Sequence, residues 1–63
     1  MRGKHVKSVG DFKIFEELDE KGIFIGYVVV SPDGTVSELL DTIDGAIEHA
    51  KNLRKNYDSG LTL

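Results

Sequence analysis

The residues able to do chemistry in this chain are two histidines, eleven carboxylates and a handful of hydroxyls, and their spacing gives catalysis little support. His5 and His49 stand far apart, with no second ligand at metal spacing. His49 follows Glu48, but neighbours on a helix point in different directions and do not make an acid/base pair. Glu16, Glu17, Asp19 and Glu20 cluster around a polar turn, where carboxylates form a solvated edge that discourages strand-to-strand aggregation. There is no Gly-rich phosphate loop, zinc spacing or nucleophile elbow, and Ser8, Ser31, Ser37 and Ser59 lack a histidine or acid in a recognisable arrangement. The expectation is a protein that is not an enzyme and that uses no cofactor or metal.

Charge narrows the partners. The net charge is -3, and Arg2, Lys4 and Lys7 place three positive charges in the first ten residues, so the remainder is markedly acidic. An acidic body repels phosphate backbones, so nucleic acid is expected only if the arm Arg2, Lys4 and Lys7 does the work alone. A basic protein suits the rest of the chain better. The apolar run Ile23 to Val30 is far short of the roughly 20 residues that cross a bilayer, which argues for a buried strand and against a membrane partner. Without cysteine there is no disulfide framework. A chain with neither cysteine nor a secretory signal is expected in the cytoplasm.

The elements that position these residues follow from periodicity. Ile43, Ala46, Ile47, Ala50, Leu53 and Tyr57 recur at i, i+3, i+4, i+7, i+10 and i+14, one stripe along a helix over residues 41 to 57. Asp41 or Thr42 caps it and Asp44 adds negative charge at its positive end. Gly45 in its first turn is explained if the helix comes close to a sheet. Upstream, Asp11 to Leu18 alternates as a strand, with Phe12, Ile14 and Leu18 on one side and Lys13, Phe15 and Glu17 on the other. Asp19 to Gly22 reads as a hairpin connection. Ile23 to Val30 is apolar on both faces and belongs in the centre of the sheet, with Gly26 marking a bulge or a close approach. Ser31-Pro-Asp-Gly is a turn, and Thr35 to Leu40 is the expected third strand.

The predicted fold is α+β, a three-stranded antiparallel sheet with one C-terminal helix packed on one face (βββα). Its parts are a basic arm (1–10) with room for a short edge pairing around Lys4 to Ser8, a single domain (11–57) and a tail (58–63). The core is expected to comprise Phe12, Ile14, Ile25, Tyr27, Val29, Val36, Ile43, Ala46, Ile47, Ala50 and Leu53. One helix covers one face of such a sheet. Phe15, Phe24, Val28 and Val30, with Glu17 beside them, are therefore left as a partner-binding surface, and a homodimer that buries it is expected because so short a chain has a limited core.

Order and residues together resemble a known family. Phe12-Lys-Ile-Phe-Glu-Glu, Gly22-Ile-Phe-Ile-Gly-Tyr-Val, Gly34-Thr-Val-Ser-Glu and Asp41-Thr-Ile-Asp-Gly-Ala-Ile-Glu-His-Ala-Lys look like the HicB-type antitoxin domain, over about Phe12 to Lys55. The sequence departs from that pattern where Leu39 and Leu40 replace the family's glycine and add a residue before Asp41. The resemblance implies a βββα fold, self-association and binding of a small basic toxin ribonuclease of the HicA type; binding to operator DNA is not implied, since many relatives do this through a further domain. YegP-like domains of unknown function are also similar, sharing the Asp-Gly-x-Val turn and a helix ending like Arg54-Lys55-Asn56.

Overall fold

The computed structural model describes residues 1–60, with side chains as far as Asn56. It has the predicted architecture: a three-stranded antiparallel sheet of order β1-β2-β3, followed by one helix packed against it. The strands are β1 (Arg2–Val9), β2 (Phe12–Leu18) and β3 (Phe24–Val30), and the helix is α1 (Ile43–Gly60).

Two of the three strands are those expected, and the third is not. The basic arm forms β1, paired with β2 along its length. Between them lie only Gly10 and Asp11, and Gly10 has φ 58° while Asp11 keeps a negative φ. That combination is the tight two-residue hairpin turn whose twist matches the flanking strands. β1 carries two register shifts, one between Arg2 and His5 and one between His5 and Lys7. Such bulges, with Lys4 and Lys7 on an edge, discourage pairing with other chains.

The segment expected as the third strand, Thr35 to Leu40, runs along the outer edge of β3 without forming a ladder. It touches β3 through two isolated bridges, Val30 with Val36 and Tyr27 with Leu40. Four steps on this segment answer three on β3, so one residue is extra and the pairing is broken between the bridges. Val36 is consequently 43% exposed and lies outside the core.

The β2–β3 hairpin is held by Asp19, whose Oδ1 accepts hydrogen bonds from the amides of Lys21 (2.8 Å) and Ile23 (2.9 Å). Gly22 supplies the positive φ of 82° that the turn needs. A second irregularity follows: Leu18 faces Phe24 but Glu17 faces Gly26, so Ile25 has no partner and the strand changes face. Ile25, expected in the core, is 44% exposed for this reason.

The helix supplies the rest of the core. Ala46 and Ala50 are fully buried, small enough to bring α1 down onto Ile14, Val29 and Phe12. Val9, Tyr27, Leu40, Ile43, Ile47 and Leu53 pack around that cluster. Burying Ile14 and Val29 stabilises the fold by about 1.5–3 kcal/mol each relative to leaving them in water. Thr42 is the cap, its Oγ1 accepting from the Gly45 amide at 2.9 Å. The same hydroxyl, and not the sheet, crowds Gly45: a β-carbon there would stand 2.9 Å from it. α1 continues to Gly60, so residues 58–60, expected in a tail, are helical. The rest of that tail, Leu61 to Leu63, and the Tyr57 side chain lie outside the described residues.

Candidate functional site

Register settles which side chains share the face that α1 leaves open. Phe15 pairs with Val28 and with His5, Lys13 with Val30 and Ser8, and Glu17 with Arg2. Paired residues project to the same side, opposite Ile14 and Val29, so the open face carries Arg2, His5, Ser8, Lys13, Phe15, Glu17, Val28 and Val30. Four of the five expected partner-binding residues therefore gather there. Phe24 does not: the irregularity at Ile25 turns it to the helix side, where its ring packs edge-on against Tyr27 with centroids 5.1 Å apart. Val28 is only 5% exposed, already covered within the single chain, which corrects the expectation that it lacks cover.

Phe15 is the centre of the face. The Arg2 guanidinium sits 5.6 Å from its ring centroid and the His5 ring 5.2 Å. Arg2 also approaches Glu17, Nε to Oε1 at 3.8 Å, a half-exposed contact of small energetic value. His5 Nε2 lies 2.9 Å from Ser8 Oγ, a serine–histidine contact that the sequence reading did not find. The imidazole tautomer decides which of the two donates. No carboxylate reaches the other ring nitrogen among the described residues, so the third member that would orient a catalytic pair is not part of this contact.

Towards β3 the face becomes apolar. Gly26 is approached so closely that a β-carbon there would be 2.6 Å from the Leu40 carbonyl oxygen and 2.9 Å from Leu39 Cδ1. The Leu39 side chain thus occupies the place a side chain at 26 would take. Of the two expectations for this glycine, the close approach falls on Gly26 itself and the bulge on its neighbour Ile25.

The two ends of the molecule differ in charge. At the β2–β3 hairpin end, where Leu40 is bridged to Tyr27 and the helix begins, stand Glu16, Asp19, Glu20, Asp41 and Asp44, with Lys4, Lys21, Arg2 and the Met1 ammonium, which lies 3.3 Å from Glu17 Oε2, as the cations. Ile23, Phe24, Ile25 and Leu39 are exposed at the same end, between 44% and 57%. At the opposite end the Arg54 guanidinium lies over Gly10, 3.1 Å from where its β-carbon would be. A shallow depression there is lined by Gly10, Asp11, Lys13, Val30, Ser31, Pro32 and Gly34. The neighbouring Asp33 accepts the Thr35 amide at 3.0 Å, and that bond holds its carboxyl below the usual value of 3.8. Among the described residues no group of three His, Asp or Glu side chains is placed to hold a metal ion, and no helix is long and apolar enough to cross a membrane. No family model matches the chain, and no curated protein or solved structure matches it.

Proposed function

We propose that this chain is a non-enzymatic protein-binding module whose partner is a small basic protein, docked at the hairpin end around Phe24. One observation carries the reading: four exposed apolar side chains, Ile23, Phe24, Ile25 and Leu39, belong to the β2–β3 hairpin end, the end that also carries Glu16, Asp19, Glu20, Asp41 and Asp44. Apolar anchors inside a charged rim are the usual anatomy of a protein interface, and the sign of this rim selects a cationic partner. The resemblance to HicB-type antitoxins points to the same class, a small basic ribonuclease of the HicA type. Neutralisation then means covering the basic surface with which such an enzyme holds RNA. The test is co-expression with the product of the adjacent reading frame, if that product is short and basic, followed by gel filtration. A stoichiometric complex that weakens with salt and is lost in Glu20→Lys/Asp41→Lys supports the reading. Separate elution of the two proteins, or a complex indifferent to the charge reversal, removes it.

A second reading has an observation of its own. With the arm folded as β1, Arg2 of the arm and Lys13 of β2 share a face with Phe15, while Lys7, paired with Ile14, is turned to the helix side, so two cations and an aromatic ring are presented together. Such a face is the beginning of a single-strand-binding platform. It also carries Glu17, and the whole chain carries -3, which works against phosphate. Fluorescence anisotropy with a labelled single-stranded oligonucleotide at physiological salt separates the readings. Sub-micromolar binding that disappears in Arg2→Ala/Lys13→Ala would favour nucleic acid over the basic protein.

A further inference from the structure

We infer that the open sheet face is an interface for a second copy of this chain, stacked so that the two β2 strands run antiparallel and Lys13 of each copy meets Glu17 of the other. This surface adjoins the hairpin end proposed above for a basic partner at Leu39 and is otherwise distinct from it, and substitutions at different residues test the two assignments.

The argument rests on the order of side chains along β2. On the open face the strand reads Lys13, Phe15, Glu17: a cation, a ring, an anion, evenly spaced at about 6.8 Å from one to the next. Two identical sheets can stack face to face about a two-fold axis lying between them, and the axis can run along the strands or across them. An axis along the strands sets Lys13 over Lys13 and Glu17 over Glu17, and lays the polar flank of β1 over the valines of β3. An axis across the strands, through the row His5, Phe15, Val28, does the reverse. Each Lys13 then stands over the Glu17 of the second copy, twice by symmetry, and Phe15 meets Phe15.

The flanks agree with the same choice. Under the transverse axis β3 lies over β3, so Val30 and the exposed Val36 of one copy face Leu39 of the other, which fills the position beside Gly26. Arg2 falls over Ser8, so its charge meets a hydroxyl and not a like charge. Charge order and apolar order are independent features of the sequence, and both select one stacking out of two.

Sheets packed in this way sit about 10 Å apart and cross at about 30°. At a distance of about 6.8 Å from the axis, that rotation displaces the facing residues by roughly half the distance, within reach of a lysine stem. The footprint of a three-stranded face with seven-residue strands is about 14 by 24 Å. That is small beside the roughly 800 Å² each partner contributes to a standard interface, and Val28 has little area left to give. The dimer is therefore weak, with a dissociation constant in the micromolar range or above.

Sedimentation equilibrium on the full chain, from micromolar to millimolar concentration, is the measurement. The wild type is expected to show a monomer–dimer equilibrium. Lys13→Glu and Glu17→Lys each turn two attractions into repulsions and should weaken it by roughly tenfold or more. Neither side chain is in the core, and circular dichroism of each variant checks that it remains folded. The decisive sample is an equimolar mixture of the two variants, in which complementary charges are restored across a heterodimer; association should return to near the wild-type level. A strictly monomeric wild type at millimolar concentration overturns the inference. So does a dimer insensitive to the single reversals, or a mixture that fails to recover. None of these results bears on binding of a basic protein at Phe24, which Glu20→Lys/Asp41→Lys tests by itself.

Discussion

Replacing Gly26 by alanine is the substitution for which the structure gives the most definite cost. The new methyl would lie 2.6 Å from the Leu40 carbonyl oxygen and 2.9 Å from Leu39 Cδ1. The leucine side chain can turn away, but the carbonyl cannot do so freely. It accepts the Tyr27 amide at 2.8 Å while the Leu40 amide donates back to Tyr27 at 2.8 Å, and these two bonds tie the connection to β3 just before the helix. Relieving the overlap means loosening that bridge, at about 0.5–1.5 kcal/mol for each hydrogen bond. The backbone adds its own resistance, since φ at Gly26 is 154°, a region in which a residue with a β-carbon is strained by about 1–3 kcal/mol. Together the loss is about 2–6 kcal/mol, against a total stability of about 3–9 kcal/mol for a chain this size. Urea denaturation followed by circular dichroism measures the loss. Gly22→Ala is the matched control: Gly22 also has a positive φ, 82°, but nothing lies within 4 Å of a β-carbon there. Gly22→Ala should therefore cost only the backbone strain, about 1–2 kcal/mol. If Gly26→Ala were no more damaging than Gly22→Ala, the close approach of Leu40 would not be a constraint on the fold.

Other expectations can be checked on the same samples. Thr42→Ala removes the acceptor for the Gly45 amide and should lower stability by about 1 kcal/mol, read from the denaturation midpoint, while Thr42→Ser should retain most of it. Ile14→Ala should cost about 2–5 kcal/mol; Ile47→Ala should fall at or below the lower end of that range, because Ile47 is only partly buried. Asp33 should titrate below 3.8 when followed by carboxyl carbon NMR. Because its folded value is the lower one, its contribution is present above 3.8 and is lost as the pH falls through the folded value; Asp33→Asn should abolish that part of the acid dependence.

The helix was legible because its stripe contains residues of two kinds, small Ala46 and Ala50 at the centre and larger Ile43, Ile47 and Leu53 at the sides. That order is what close packing on a sheet requires. β2 was legible from its alternation, Phe12, Ile14 and Leu18 on one side against Lys13, Phe15 and Glu17 on the other. β1 was hidden by its irregularity: two bulges within eight residues destroy the alternation from which strands are recognised. The signal that could have found it is the pair Gly10-Asp11, a two-residue hairpin loop between Val9 and Phe12. Phe24 was misplaced for a different reason. From Ile23 to Val30 both parities are apolar, so a one-residue slip leaves no trace in the pattern, and the unpaired Ile25 shows only in the register. Val36 went the same way, since the extra residue between the two bridges exposes it. The open face became readable only once the arm was known to be a strand. Without β1, Arg2 and His5 could not be set beside Phe15.

The sheet order β1-β2-β3 also bears on how fast the chain finds its structure. Each strand pairs with the one next to it in sequence, across connections of two and five residues, so no distant segment must be brought back to complete the sheet. Closing such short loops takes tens of nanoseconds and forming a hairpin takes microseconds, on the order expected for elementary steps. The slow event is then the return of α1 across the finished meander, the one long-range docking that closes Ala46 and Ala50 over Ile14. Because the meander is paired before that docking, substitutions in β1 should mainly slow folding, and contacts of α1 completed after the barrier should mainly change the unfolding rate. On unfolding the helix would be the first part to let go, and the edge strand that the sequence disguised as an arm would leave after it.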